Sequence, residues 1–408
     1  MITPDEAWNL VLDVVRPLPV IERALAESLH YVLAEPIRAD RDIPPADRSA
    51  MDGYAVRAED IRRAPAVLTV RGEAAAGSGS APAVGPGTCV RIFTGANVPP
   101  GADTVVRLED TQAAHDPDGR EAIAVLKAAE AGADILRQGE NARSGDVLLP
   151  AGTRLSPTGI GLCAATGHAA VKVHRQPRIH ILTTGEELRD AGDPVAPHQI
   201  RDSNGPMLAA ALSAAGFSVH GRGRVPDDPG LTTQGIRAAL ADADALLTVG
   251  GISVGRYDWV PRCVAEAGGA VRFHQVAIKP GKPLLFAATP EGKLIWGLPG
   301  NPVSAMVAFQ EFVLPSLFRL SGLSAEASRE SVLLPLRGKV KGGGSRRTYL
   351  LARRVADAGG IGLEPVRSTG SADLVALGRA DGCFAVPDGV AGLDAGALVP
   401  FRAWRRGL

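Results

Sequence analysis

The sequence predicts a multidomain α/β plus β protein, in which a doubly wound, mostly parallel α/β domain is accompanied by smaller β-rich parts. Three observations lead there. Between residues 176 and 322 or so, apolar runs of roughly four to eight residues alternate with longer amphipathic stretches, the pattern of βαβ units. From Ile43-Pro44-Pro45 to Asp146, and again beyond residue 326, the chain instead falls into short alternating runs separated by Gly, Pro and Ser. Its 408 residues also exceed what one hydrophobic core usually serves.

The elements follow in order. Residues 3 to 35 carry helical periodicity opening on Thr3-Pro4-Asp5-Glu6, with apolar positions at Val20-Ile21, Ala24-Leu25 and Leu29. AVLTVRG and TCVRIFTG are strands of a small β-rich unit, and Ser78-Gly79-Ser80 marks a loop. In the α/β stretch RIHILTTG is a strand, and Asp202-Ser203-Asn204 supplies N-cap candidates for the helix GPMLAAALSAAG, which stops at Gly216. FSVHGRGRV is a strand, PGLTTQGIRAALAD a helix and ALLTVGG a buried strand. A helix (DWVPRCVAEAG), a strand (AVRFHQVAI) and a hairpin (PLLFAAT to LIWGLPG) lead to a long closing helix from Pro302. Gly342-Gly343-Gly344 is expected at a hairpin tip. These readings divide the chain into a helical N-terminal linker domain (1–45 and 147–175), a β-rich domain (46–146), an α/β domain (176–325) and a C-terminal small β domain (326–408).

Composition excludes several function classes. Lys+Arg and Asp+Glu balance at 44 each, so no net field attracts a polyanion, and nucleic acid is not an expected partner. The four cysteines stand singly, without a CxxC pair, and are expected to be reduced packing residues. The N-terminus lacks the basic stretch and apolar core of a leader peptide, and no later window of about 20 residues reads as apolar enough to span a bilayer, so a cytoplasmic protein with no membrane partner is expected. Only seven of the basic residues are lysines, which makes a lysine pair noteworthy.

Three loops carry candidate chemistry. Gly250-Gly251 follows a buried strand, where backbone N–H groups can approach an anion without an intervening side chain; a tight turn is the competing explanation. The same loop spells G-x-S-x-G around Ser253, as in serine hydrolases, but the histidine such a mechanism needs downstream could only be His274, inside a predicted strand. Lys279-Pro280-Gly281-Lys282-Pro283 sets two ammonium groups on a proline-stiffened loop, suited to a phosphate or another tetrahedral oxyanion, or else merely solvated. Gly300-Asn301-Pro302-Val303-Ser304 starts the closing helix with Asn at N-cap and Pro at N1, so the positive helix end faces the same rim. Glu186, Glu187, Asp202, Asp227, Asp228 and Asp258 collect there as well, either as caps or as ligands for Mg²⁺ shared with phosphate oxygens.

Ser49-Ala50-Met51-Asp52-Gly53-Tyr54-Ala55, Ile92-Phe93-Thr94-Gly95-Ala96, Gly250-Gly251-Ile252-Ser253, the lysine loop and Gly300-Asn301-Pro302-Val303-Ser304 occur in that order. With these motifs the chain resembles the molybdopterin molybdenumtransferases, bacterial relatives of the gephyrin E domain, over essentially its whole length. The resemblance implies a four-part homodimeric enzyme with active sites shared between subunits. Its reaction would insert molybdate into adenylylated molybdopterin, with Mg²⁺, and yield molybdenum cofactor and AMP. It assigns catalytic roles to Asp52, Glu186, Asp228, Asp258, Lys279 and Lys282, and metal binding to Glu186, Asp228 and Asp258. Thr94, Gly250, Gly251, Ser253, Asn301, Ser304, Arg346 and Ser371 would hold the substrates. It also implies transient contact with the preceding adenylyltransferase and with recipient molybdoenzymes. Two positions depart from the family pattern: Arg256 stands where relatives commonly carry an acid, and Leu351 where they often carry an arginine, leaving Arg346 as the cation of that region. The rival readings are an adenylyltransferase of the preceding step, a scaffold of the same fold, and a hydrolase using Ser253.

Overall fold

The structure, a computed structural model, describes residues 1–252 and 259–404. Two compact units are present: a larger one of Met1–Ala34, Gly152–Ser156 and Ala170–Leu408, and a smaller one of Glu35–Ala151 and Pro157–Ala169.

The smaller unit is built on a six-stranded sheet whose order is Thr104–Arg107, Gly53–Val56, Thr88–Ile92, Ala66–Ala74, Glu121–Val125 and Thr111–His115. All its pairings are antiparallel except that between Ala66–Ala74 and Thr88–Ile92. Both faces are covered: Tyr54, Val56, Leu68, Cys89 and Ile123 pack on one side, and Ala55, Val90, Ile92 and Val105 on the other. This explains why Gly53–Val56, the strand that follows Asp52, is buried along its whole length.

In the larger unit six strands form the α/β sheet: β1 (Ile179–Thr184), β2 (Val219–Val225), β3 (Ala245–Val249), β4 (Ala270–Gln275), β5 (Pro283–Ala288) and β6 (Leu294–Leu298). Their order is β2-β1-β3-β6-β5-β4. The first four run parallel, while β5 is antiparallel to both β6 and β4. Alternate side chains divide between the faces, as a strand's period of two requires. Ile181, Leu247, Val249 and Trp296 enter one core, and Leu182, Leu246, Leu285 and Ile295 the other. Helices α1 (Asn204–Ala214) and α4 (Pro302–Leu320) cover the first face; α2 (Pro229–Asp242) and α3 (Val260–Glu266) cover the second. The sheet is therefore doubly wound. Beyond it, the segment from Val332 onward, joined by Ile278–Lys279, builds a further sheet around the long strand Arg347–Asp357, and its Tyr349, Leu351 and Cys383 share the core of α4.

Three expectations need correction. Helical periodicity does not continue to residue 35: the helix is Pro4–Leu12, and Val20–Ala24 is a strand paired with Ala170–His174. Thr3 caps that helix in a full capping box, but Pro17 and Pro19 lie beyond its end, and the apolar spacing of Val20 to Ala24 serves an alternating, half-buried strand instead. Gly342-Gly343-Gly344 is not the tip of a hairpin, because Val340–Lys341 pairs with Gly392–Leu393 while Arg347–Asp357 belongs to another sheet; the glycines carry the chain from one sheet to the next. A window with the length and apolarity of a membrane span does exist, in α4, with mean hydropathy 1.3, but 83% of it is buried inside the fold. Its Met306, Phe309, Phe312 and Leu317 fill the main core, which is why it must be apolar all round. Asn301 does stand at the N-cap of α4 with Pro302 in the first turn, as expected, although its side chain makes no cap bond.

The entry into the α/β layer is fastened by one ion pair. Arg175 donates two hydrogen bonds to Asp244, at 2.7 and 2.8 Å, and Arg178 N–H donates a third at 2.7 Å. Burial pushes the Asp244 carboxyl up, but Arg175 and Arg178 together hold it below its usual 3.8. A depressed folded-state pKa means that the stabilisation is present above the unfolded value and is lost as pH falls through the folded one. Asp244→Asn should thus cost on the order of 1.5–3 kcal/mol in urea unfolding at neutral pH, the worth of hydrogen bonds to a charged group. The difference from the parent chain should hold from pH 7 to about pH 5 and shrink below about pH 4. A pH-independent difference would show that the charge is not what matters.

Candidate functional site

The parallel strands β1, β3 and β6 end at one edge of the sheet, and a cavity of about 960 Å³ opens there. Its lining includes the residues at and just beyond the strand ends: Thr184-Gly185, Gly250-Gly251 and Pro299-Gly300. Ligands of open α/β sheets bind at this end because helix N-termini and unpaired strand-end N–H groups converge there. Gly250 and Gly251 have φ of +97° and +64°, and a Cβ on Gly250 would stand 2.8 Å from the Thr184 carbonyl oxygen. Any side chain would both strain this turn and fill the approach to its amides.

The lysine loop reaches the same edge by a different route. Because β5 runs against β6, its first residue, Pro283, lies at the end where β6 finishes. Lys279 and Lys282 are therefore carried to the cavity, both exposed, and neither has an ion-pair partner among the described residues. Arg346 lines the cavity beside them. Asn301, freed from capping, donates its amide to Ser371 Oγ at 2.9 Å, and Val303 N–H donates to the Ser371 carbonyl at 3.0 Å. These bonds tie the start of α4 to the loop that carries Ser371. Ser304 is buried in the first turn of α4 and also lines the cavity.

The acids divide into two groups. Glu187, Asp202 and Asp227 line the cavity, whereas Glu186 and Asp228 do not. Asp228 accepts from Leu231 N–H at 2.8 Å and caps α2, and Glu186 is exposed and donates its N–H to Asp227. Asp202 accepts from Gly205 N–H at 2.9 Å and from Thr183 Oγ1 at 3.3 Å, so it both caps α1 and faces the cavity. Ser253, Arg256 and Asp258 lie outside the described residues. His274 has Nε2 at 2.6 Å from the Ile252 carbonyl oxygen, so that nitrogen carries a proton and donates; it is not free to serve as a hydrolase base. Leu351 is buried in the core rather than turned to the cavity.

Asp52 and Thr94 belong to the smaller unit, where they line a second cavity with Arg107 and Lys127. Thr94 donates both its N–H and its hydroxyl to Asp52 Oδ1, each at 2.7 Å. These two bonds hold the Asp52 carboxyl below the usual range and fix one of its oxygens, leaving Oδ2 for another partner.

Sequence reasoning passed over two residues. Thr184 Oγ1 and Asn204 Oδ1 are buried at the cavity without a hydrogen-bond partner among the described residues, although Asn204 donates its amide to the Gly300 carbonyl at 2.6 Å. Buried polar atoms are rarely left unpaired, and both residues line the space a ligand would fill. Their only sequence signal is position: Thr184 ends β1 and Asn204 begins α1.

Comparison with known proteins accounts for nearly the whole chain. Residues 2–167 match the family model described as MoeA N-terminal region (domain I and II), residues 180–319 the "Probable molybdopterin binding domain", and residues 334–404 the MoeA C-terminal region (domain IV). A Bacillus subtilis protein named molybdopterin molybdenumtransferase is 40% identical over 72% of this chain and 68% of its own length. A Staphylococcus aureus protein of the same name is 32% identical over 97% of this chain and 93% of its own. Among solved structures, a molybdopterin biosynthesis moeA protein from Pyrococcus horikoshii OT3 superposes with a TM-score of 0.81 at 26% identity, covering 99% of this chain and 100% of that one. With these matches running through both units and all five motifs, the chain belongs to the molybdopterin molybdenumtransferase family.

Proposed function

We propose that this chain inserts molybdate into adenylylated molybdopterin, releasing AMP and molybdenum cofactor. The observation that carries this reading is the cavity at the strand ends, where Lys279, Lys282 and Arg346 stand with the N-terminus of α4 and the Gly250-Gly251 amides. A pyrophosphate-like linkage and molybdate are both anions and repel one another, so holding them together requires cations and N–H groups already in place. The two lysines, lacking internal ion-pair partners among the described residues, would supply compact charge to the oxyanions. Gly250, Gly251, Ser304, Asn301, Ser371 and, from the undescribed loop, Ser253 would position the substrate, with Thr184 and Asn204 accepting from its donor groups.

Mg²⁺ suits this rim because the available donors are carboxylate oxygens and Mg²⁺ is usually held by one or two of them plus phosphate. Glu187 and Asp227, which line the cavity, would hold it, with Glu186, Asp228 and Asp258 close by in sequence. When bound it would offset charge on the phosphate oxygens as AMP departs. We further infer a cytoplasmic homodimer of four-part subunits, divided as the sequence suggests, in which Asp52 and Thr94 serve a ligand held by the other subunit. Passing contacts with the preceding adenylyltransferase and with recipient molybdoenzymes complete this reading.

An adenylyltransferase of the preceding step would have no need of the matched N-terminal and C-terminal regions. A scaffold would have no need of two lysines beside an anion cradle with no ion-pair partner among the described residues.

Purified protein given adenylylated molybdopterin, Mg²⁺ and molybdate should release AMP in a molybdate-dependent manner; AMP formation indifferent to molybdate would overturn the assignment. Lys279→Ala and Lys282→Ala should each lose about a hundredfold in that rate, the usual effect of removing one preorganised group from a charged transition state. Their melting temperatures should stay near the parent's, since exposed charges contribute less than about 1 kcal/mol to folding. Mixing Asp52→Ala with Lys279→Ala subunits should regenerate activity above either parent, because some mixed-dimer sites carry neither lesion. Inactive mixed dimers would rule out the shared site.

A further inference from the structure

A second constellation lies on the α2 side of the sheet's outer strand pair. Between β1 and β2 the register runs Ile179 to Val219 and then His180 to Gly221, so His220 is the extra residue of a bulge. Asp242, the last residue of α2, comes between the two imidazoles. His180 Nε2 is 3.2 Å from Asp242 Oδ1, and His220 Nε2 is 3.1 Å from Oδ2. The rings are 5.5 Å apart between centroids, and one ligand atom from each of the three residues lies within 4.8 Å of the others.

Two details separate this arrangement from an incidental surface contact. His180 Nε2 is shielded from solvent and makes no hydrogen bond; it is near the carboxylate but not aligned with it as a donor. Space for its ring is also reserved, since a Cβ on Gly221 would stand 2.4 Å from His180 Cε1 and 2.6 Å from Nδ1. Any other residue at 221 would displace the imidazole from Asp242. The His220 and Asp242 side chains are each 48% exposed, so they can close around an ion without disturbing the core.

We propose that His180, His220 and Asp242 bind a divalent transition-metal ion, best represented by Zn²⁺. Two imidazole nitrogens and one carboxylate oxygen are borderline donors that suit Zn²⁺ and not Mg²⁺. Tetrahedral ligands at Zn²⁺ stand roughly 3.4 Å apart, given metal–ligand distances near 2.0–2.1 Å, so the observed set needs only a modest contraction. The fourth position would be taken by water. Asp242 brings a full negative charge, and the carbonyl end of the α2 dipole adds a partial one. The ion would clamp the outer strand β2 and the end of α2 to β1, independently of the strand-end cavity.

Metal-free full-length chain titrated calorimetrically with ZnCl₂, in excess Mg²⁺ to occupy the cavity acids, should take up Zn²⁺ and gain thermal stability. His220→Gln, at an exposed position, and Asp242→Asn should each weaken that uptake by roughly tenfold or more, the loss that even an outer-shell change produces. Lys279→Ala should bind Zn²⁺ as the parent does. X-ray absorption of the loaded protein should show two imidazole ligands. Failure of the parent to bind, or equal binding by His220→Gln and Asp242→Asn while both remain folded, would overturn the proposal.

Discussion

The reversal of β5 against β6 is the constraint on which the rest of the cavity depends. Parallel strands bring their C-terminal ends to one edge without further help, and that alone accounts for Thr184, Gly250 and Gly300. A loop that precedes a parallel strand would sit at the opposite edge, some 15–20 Å away for strands of about five or six residues. Lys279 and Lys282 precede β5, and they join the glycine loop only because β5 runs backwards. One hairpin thus turns a set of strand ends into a cationic cavity.

Helix α4 fixes the other half of that cavity. Its first turn lines the site, its body is long and apolar enough to pass for a membrane span, and its Phe309 and Phe312 are fully buried in a core shared with Trp296 of β6 and Tyr349 of the C-terminal sheet. Burial of each such side chain is worth about 1.5–3 kcal/mol, so the helix cannot shift without a large loss. Near its middle the helix passes through a π turn at Phe309–Val313, where buried Glu311 meets Arg329 and Arg402. The C-terminal region is thereby tied to the helix that positions Ser304, and Ser371 returns to Asn301. Rigidity of this kind is what lets N–H groups and cations be held against an anion before it arrives.

The acids show where competing demands on one residue type decide the outcome. Asp228 stands next to Asp227 in the chain, yet one caps α2 and the other faces the cavity. Adjacent residues at a strand-to-helix turn point in different directions, and only the backbone path determines which carboxylate is used for the cap. Glu187 likewise lines the cavity while its neighbour Glu186 does not, though neither caps a helix. Asn301 presents the opposite case: its position matches an N-cap, but the Val303 N–H that its Oδ1 would accept from donates to the Ser371 carbonyl instead, and its own amide donates to Ser371 Oγ. In the N-terminal segment, pairing with Ala170–His174 outweighs the helical spacing of Val20 to Ala24, because cross-chain hydrogen bonds and burial exceed weak local propensity.

The order of strands and helices from Ile179 to Leu320, the two-faced apolar pattern of the sheet, and the glycine, lysine and Asn-Pro loops at its edge were all determined by the sequence alone. They depend on short-range periodicity and on residue types with strong local requirements, such as Gly at positive φ and Pro at a helix start. Tertiary structure decided which of the neighbouring acids face the cavity, that Thr184 and Asn204 are left with unpaired buried oxygens there, and that His180, His220 and Asp242 meet across a bulge. Those outcomes depend on register, on strand direction and on which partner captures a hydrogen bond first. No window of the sequence contains that information, because the groups involved are brought together from segments some twenty to a hundred residues apart.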